Sequence, residues 1–443
     1  MIKRDKKTIA LGLISTITAG LIISTSAEAK NDDNPEFGDS KLESYIKFTR
    51  VLNIINDQYV DDLNTSDLVD KALDGLLSNL DAHSSFMDKK SFEELNVQTS
   101  GEFGGLGISI GMKKGILTVI APLDNTPADR AGVKAGDIIL KIDDKSTLDM
   151  TIDEAVGFMR GKPKTDIVLT IVREKEPKPL EIKITRDIIK IQSVYSKKID
   201  DDILYLHVTS FDQKVVDDVK EALKKEHNRT GILLDLRNNP GGLLDQAVGL
   251  VDLFVDSGVI VSQKGRNADE NMEFKAHKKG SNTDIPLVVL VNMGSASASE
   301  IVSGALQDRK RAIVVGEKTF GKGSVQIVMP VGDGEALRLT VARYYLPSGR
   351  TIQAVGVTPD IIVHPGSVPM DNNSSFTIKE KDLKKHLEGE LDKIGNKKAL
   401  LSEEHNSTVE DKTIITKRQI YDDAQLKSAT DILKVLMITA NNK

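Results

Sequence analysis

The spacing of apolar positions changes along the chain, and each change predicts a different architecture. Leu42, Tyr45, Ile46, Leu52 and Ile55 recur at helical spacing, as do Leu68, Ala72, Leu73, Leu76, Leu77 and Leu80, which predicts an N-terminal helical region over 30–96. From Gly101 the character becomes short β-branched runs, Ile108 to Ile110, Ile116 to Ile120, Ile138 to Ile142 and Ile167 to Val172, with helix-like pieces near Ala128 and from Asp153 to Arg160. That pattern predicts a compact β-rich module over 97–188. Beyond Ile203, unbroken apolar strands alternate with helices: Ile232 to Leu236 before a helix at Leu243 to Val255, Leu287 to Val291 before a helix near Glu300 to Gln307, then Ala312 to Val315. Strands apolar on both faces and followed by helices predict an α/β core over 189–366 with largely parallel strands. The last stretch, 367–443, is charge-rich, yet Leu383, Leu387, Leu391 and Ile394, and later Ile432, Leu433 and Leu436, keep helical spacing. These predict helices that dock on the core or on a second subunit. The expected whole is a multidomain chain of α+β and α/β parts, with the β-rich module inserted between a helical region and an α/β core, and C-terminal helices.

The first 29 residues change the picture of where this chain works. A basic start (Lys3, Arg4, Lys6, Lys7) precedes an uncharged apolar run from Ile9 to Ile23 and the triplet Ala27-Glu28-Ala29, the layout of a secretory signal cleaved after Ala29. The run is shorter than the roughly 20 residues of a membrane span, so an uncleaved inner-membrane anchor is the lesser alternative. The 443 residues contain no cysteine, which excludes disulfides and thiol catalysis, and carry a formal net charge of −6 without a basic stripe that would suit nucleic acid. The seven histidines are scattered without ligand-like pairing, so neither a metal nor another cofactor is expected.

Candidate chemistry lies where the core strands end. Three unusual turns follow three strands: Asn238-Asn239-Pro240-Gly241-Gly242, Asn292-Met293-Gly294-Ser295-Ala296-Ser297-Ala298-Ser299, and Gly316-Glu317-Lys318-Thr319-Phe320-Gly321-Lys322-Gly323. Ligand sites in open α/β sheets form outside the carboxyl ends of the strands, so these turns are expected to meet. Together they bring hydroxyls at a helix start, a glycine-flanked lysine and a glycine turn with backbone N–H groups. Those are the parts of an acyl-transfer site: a hydroxyl to attack, a base to take its proton, and donors for the oxyanion. A lysine serves as base only when desolvated, which small neutral neighbours such as Gly321, Gly323, Ser324 and Val325 allow; Gln326 could orient the neutral amine. The spacing alone does not say which serine acts. Gly316-x-x-x-x-Gly321-Lys322 approaches a phosphate-binding loop, but Gly323 stands where magnesium binding needs Ser or Thr.

At these residues the sequence resembles the carboxy-terminal processing, or tail-specific, proteases. The matching stretches are Asp235 to Leu243, Gly294 to Glu300, Gly316 to Gln326 and Arg343 to Arg350, within a resemblance that runs from about Leu42 to Pro365. It implies that Ser297 is the nucleophile of a Ser/Lys dyad, Lys322 the general base and Gln326 its support. It further implies backbone oxyanion donors at Ala298 and at Gly241 or Gly242. One departure is Ala82, before His83, where the family usually has proline. A catalytically silent scaffold is disfavoured by the intact Ser297, Lys322 and Gln326, and a trypsin-like triad by the missing Gly-x-Ser-Gly-Gly motif.

By the same resemblance the β-rich module is similar to a PDZ domain. Gly104 to Ile110 then supply its carboxylate loop and first binding strand, with Gly105, Leu106, Gly107 and Ile108 as peptide-binding residues. Arg160, near the end of a module helix, is expected to couple tail binding to the core. The resemblance implies an exported, periplasmic endopeptidase acting through an acyl-enzyme on substrates with apolar C-terminal tails. It also implies a homodimer or larger assembly and, by analogy with relatives in Gram-negative bacteria, a lipoprotein adaptor as a partner.

Overall fold

The computed structural model describes residues 39–278, 282–370 and 413–441. The expected signal at 1–29 and the helix expected across Leu383 to Ile394 lie outside these residues. Among the described residues, those up to Lys71 and those from Ala72 onward form two compact units. In the first, the helix Asp39–Gln58 is followed by Asn64, whose side chain accepts from Ser66 N–H (2.9 Å) and so caps the start of the helix Thr65–Ser78.

The second unit takes in the later part of that helix, the strand Ser85–Met87 and the helix Lys89–Ser100, the last capped by Asp88 through Ser91 N–H (2.8 Å) and ended by Gly101 in the left-handed conformation. The strand Glu102–Gly105 pairs antiparallel with Asp187–Lys190, so the chain enters and leaves the β-rich module through one two-stranded ribbon. Within the module, the strands Ile108–Lys113, Ile116–Pro122, Ile138–Ile142, Asp166–Val172 and Leu180–Thr185 lie in that order, the short strand Lys145–Ser146 pairing with Ile138–Ile142. Alternation explains the packing. Ile167, Leu169 and Ile171 are fully buried with Leu117, Val119, Ile139 and Ile184, and Ala155 and Met159 of the helix Ile152–Met159 close the core. Among the described residues, Ile108–Lys113 pairs on one side only and leaves a free edge.

The core sheet runs in the order Val194–Ile199, Ile203–Val208, Gly231–Asp235, Leu287–Val291, Ile313–Gly316 and Ile361–Ile362. Every neighbouring pair is parallel except the first. Because side chains alternate across a strand, the unbroken apolar runs divide between two faces. Ile232, Leu234, Val289, Val291 and Val314 pack with residues of the helices Val215–Lys225, Leu244–Asp252 and Ala298–Asp308. Leu233, Val288, Leu290 and Val315 pack instead with Leu426, Ala429 and Leu433 of the helix Ala424–Asn441. The C-terminal apolar stripe therefore docks on the core, one of the two options its spacing left open.

The apolar spacing did not predict a second sheet. It is built from Ser85–Met87, Glu335–Tyr345, Val259–Gly265 and Met272–Lys275, with Ser324–Gly332 forming a long hairpin on Glu335–Tyr345. This hairpin starts at Ser324, two residues after Lys322, and carries Gln326.

Candidate active site

The three turns meet. The side chains of Asn238 and Asn292 tie the first two: Asn292 Oδ1 accepts Asn238 N–H (2.9 Å) and Asn292 Nδ2 donates to Asn238 Oδ1 (2.9 Å). Asn239 O accepts both Ala296 N–H (3.0 Å) and the Ser299 hydroxyl (2.9 Å). The third turn joins through Phe320 N–H on Ser295 O (3.1 Å).

The serines separate by environment. Ser295 and Ser299 are fully buried, and their hydroxyls donate to Leu236 O and Asn239 O. Ser297 is partly exposed, and its hydroxyl donates to no protein acceptor among the described residues. It stands at the N-cap of Ala298–Asp308 with φ 54° and ψ −109°, a backbone conformation that non-glycine residues hold only when their surroundings over-determine it.

Glu300 supplies that constraint. Its carboxylate is completely buried and accepts four hydrogen bonds. Oε2 receives Ser297 N–H (2.8 Å) and Lys322 N–H (2.8 Å), and Oε1 receives Gly321 N–H (2.7 Å) and the Thr319 hydroxyl (2.5 Å). Burial pushes its carboxyl up from the usual range, against the opposing pull of those four donors. The sequence carried a signal for this arrangement: Ser297-x-x-Glu300 at a helix start is a capping-box spacing, in which the acid reaches back to the N-cap N–H. Glu300 is not among the residues that the resemblance marks as catalytic.

Lys322 lies beside the loop Asp81–Ser84. Burial lowers its pKa, and the Arg338 guanidinium lowers it further while Asp81 pulls the other way. His83 is likewise lowered, by burial first and then by the charge of Lys322. Arg338 Nε donates to His83 O (3.1 Å), and Asp81 is held by His83 N–H, Ser84 N–H and the Ser84 hydroxyl. Gln326 is not bonded to Lys322 in this structure. Its Nε2 donates to Ser324 Oγ (2.7 Å) and Thr340 Oγ1 (3.3 Å), and its carbonyl oxygen has no donor among the described residues.

The two turn glycines differ. Gly241 is buried with φ 104°, and a Cβ there would stand 2.8 Å from Ala296 O and 2.9 Å from Ser297 Cβ, so only glycine allows this approach. Its N–H is committed to Asn239 Oδ1 (2.9 Å). The N–H groups of Gly242, which is exposed, and of Ala298 have no protein acceptor among the described residues.

In the β-rich module, Gly105 ends the ribbon strand opposite Asp187, Leu106 is buried, and Gly107 turns with φ 76° against Thr126. Leu106 O and Gly107 O accept Ala128 N–H (2.9 Å) and Leu123 N–H (2.8 Å), whereas the N–H groups of Leu106 and Gly107 have no acceptor among the described residues. Ile108 begins the edge strand. Arg160 caps the helix Ile152–Met159, with its guanidinium 5.0 Å above the Phe103 ring and its Nε buried without a partner. Phe103 belongs to the ribbon, which Lys214 of the core grips through Gly101 O (3.0 Å) and the Glu102 carboxylate (2.9 Å).

Comparison with known proteins identifies the family and the domains. Residues 202–363 match the peptidase family S41, residues 118–173 a PDZ domain, and residues 14–91 the N-terminal domain of the activating protease CtpB. The chain is 43% identical to a carboxy-terminal-processing protease of Bartonella bacilliformis over 84% of its own length and 86% of the relative. It is 33% identical to the carboxy-terminal processing protease CtpA of Bacillus subtilis over 81% and 77%. Among solved structures, the photosystem II D1 C-terminal processing protease is 26% identical, with 73% of this chain and 94% of that one covered, at a TM-score of 0.42. The chain belongs to peptidase family S41, the carboxy-terminal processing proteases, and is a serine-type endopeptidase that carries a PDZ domain.

Proposed function

We propose that this protein is an exported endopeptidase that captures an apolar substrate tail in its PDZ domain and cleaves through a Ser297/Lys322 dyad. Neutral Lys322 takes the Ser297 hydroxyl proton as Oγ attacks the scissile carbonyl. The tetrahedral intermediate collapses with cleavage of the C–N bond, and the proton passes from Lys322 to the departing amine. Water, deprotonated by the now neutral Lys322 amine, then attacks the Ser297 ester carbonyl; the C–Oγ bond breaks and Lys322 returns the proton to Ser297 Oγ. The observation that carries this is Glu300 Oε2, which accepts the backbone N–H of both dyad residues.

Ala298 and Gly242 N–H are the oxyanion pair, supported by their lack of other acceptors and by the commitment of Gly241 N–H to Asn239. Gln326 steadies the neutral amine once its carbonyl oxygen turns to Lys322. In the PDZ domain, the loop from Gly105 to Gly107 receives the tail carboxylate and the edge from Ile108 receives the extended peptide. Arg160 couples the two through Phe103 and the ribbon; unchanged tail stimulation in Arg160→Ala would remove it from that role. Cleavage after Ala29 delivers the enzyme to the periplasm, where it works as a homo-oligomer and takes a lipoprotein adaptor as partner.

The test is cleavage of an unfolded protein by the chain from Lys30, beside Ser297→Ala and Lys322→Ala, with and without an apolar tail on the substrate. Loss of cutting in both variants and a tail-dependent rate are expected. Activity in Ser297→Ala overturns the dyad, and a rate indifferent to the tail overturns the PDZ role.

A further inference from the structure

Arg237 stands between the strand Gly231–Asp235 and the turn that brings Gly241 and Gly242 to Ser297. Its side chain is 15% exposed and is held by carboxylates from two distant parts of the chain. Asp235 accepts Nη2 (2.6 Å) and Nε, and is itself fixed by the Tyr205 hydroxyl (2.8 Å). Asp423 accepts Nη1 through both oxygens (3.0 and 2.8 Å), and Gln425 Oε1 accepts the same nitrogen (3.1 Å).

Asp423 and Gln425 belong to the start of the C-terminal helix. Asp423 Oδ1 also accepts Leu426 N–H (3.0 Å), Gln425 Nε2 donates to Val363 O (2.8 Å), and Ala424 N–H donates to Gly366 O (2.7 Å). One guanidinium thus ties the first turn of this helix to the entry of the glycine turn. Both residues lie beyond positions 202–363, which match the peptidase family.

The turn has reason to need an anchor. Asn238, Gly241 and Gly242 all hold positive φ, at 56°, 104° and 146°. Such a backbone keeps its shape only when its ends are fixed. Asp235 alone would neutralise Arg237, and it sits on the same strand end as the guanidinium it holds. Asp235 takes Nε and Nη2, the fork that sets the guanidinium plane, and Asp423 holds the remaining Nη1 through both oxygens from a separate element, so the far end of the guanidinium is anchored independently of the strand.

We propose that Asp423 and Gln425 are positioning residues for the oxyanion turn, acting through Arg237, so that docking of the C-terminal helix completes the catalytic site. This rests on the proposed oxyanion role of Gly242. The test measures cleavage of a tailed peptide, inhibition by a peptidyl boronate, whose tetrahedral adduct carries the oxyanion, and thermal unfolding. The variants are Asp423→Asn, Asp423→Glu and Gln425→Leu, beside Ser297→Ala.

Asn can still cap the helix, so Asp423→Asn is expected to stay folded. Its kcat falls at least about tenfold with KM little changed, boronate affinity weakens by the same factor, and Asp423→Glu regains most of both. A folded Asp423→Asn with kcat and boronate affinity unchanged overturns the proposal, as does a fall in kcat without the matching loss of boronate affinity. If Asp423→Asn is unfolded at the assay temperature, Gln425→Leu decides, since it removes the hydrogen bonds to Arg237 and Val363 O and leaves the ion pair. A parallel loss of kcat and boronate affinity supports the clamp, and no loss overturns it. An active Ser297→Ala would instead overturn the dyad itself, whereas an inactive Ser297→Ala beside fully active variants at 423 and 425 rejects the clamp alone.

Discussion

Ser297 and Lys322 donate their backbone N–H groups to the same oxygen atom, Glu300 Oε2, at 2.8 Å each. Ser297 lies at the start of a helix and Lys322 in the turn after a different strand, so the two elements meet at one carboxylate buried from water. A carboxylate suits that place because four donors converge on it, and a neutral side chain would leave some of them unmatched.

Glu300→Gln is therefore expected to lower kcat by about 100-fold with little effect on KM, because its amide nitrogen faces donors that need an acceptor. The enzyme should also melt at a lower temperature. Steady-state kinetics and calorimetry on the purified variant check both; an unchanged kcat would reject the role of the shared carboxylate.

Burial, assisted by Arg338, holds the Lys322 pKa below the ordinary lysine value of 10.5. As the base must be neutral, kcat/KM should rise with pH to a plateau, with a midpoint below 10.5, and a midpoint at or above that value would contradict the dyad. The stability effect has a fixed sign. Between the folded pKa and 10.5 the unfolded chain binds more protons, so stability increases with pH across that window, and below it charged Lys322 costs stability. Lys322→Met should accordingly melt higher than the parent at about pH 7, with the gap narrowing toward about pH 10.

Gly241→Ala is expected to reduce kcat by about 100-fold or more, since the added methyl would press on Ala296 O and Ser297 Cβ. Gly157→Ala provides the contrast. Gly157 is inside a helix with open space around it, so alanine should leave activity intact and add roughly 0.5–1 kcal/mol of stability. Denaturant unfolding and peptide cleavage of the pair distinguish close approach from general sensitivity to alanine.

Gly107→Ala should weaken binding of an apolar-tailed peptide by at least about tenfold, because a Cβ at φ 76° would overlap Thr126 at 2.3 Å and distort the carboxylate loop. Fluorescence polarisation with a labelled tail measures it. Cleavage of a substrate without a tail should be unaffected; equal losses on both substrates would mean that the loop supports the fold and not tail capture.

Much of this architecture was legible in the sequence because its signals are local. Unbroken apolar strands such as Leu287–Val291 announce burial on both faces, and Leu433 and its neighbours announce a helix. What that helix packs against was not legible, since a stripe of apolar residues does not name its partner; the alternation of Leu233, Val288 and Leu290 answers it only once the strands are aligned. The second sheet was missed because strands such as Ser324–Gly332 are only partly buried and mix polar with apolar residues. The three turns could be found from their composition. Glu300 showed only its capping-box spacing, and the Arg237–Asp423 pair showed nothing, because a charged residue in sequence looks solvated until its burial is known.

The paired entry and exit of the PDZ domain have a mechanical consequence. Two separate tethers would let a module slide, tilt and twist independently, but Glu102–Gly105 and Asp187–Lys190 are stitched along four facing residue pairs. A ribbon of this kind resists shear along its length and bends most easily across its flat face. The entry and exit strands of the domain therefore cannot move independently, and any displacement of the module is carried into the core by both strands together, beside Lys214.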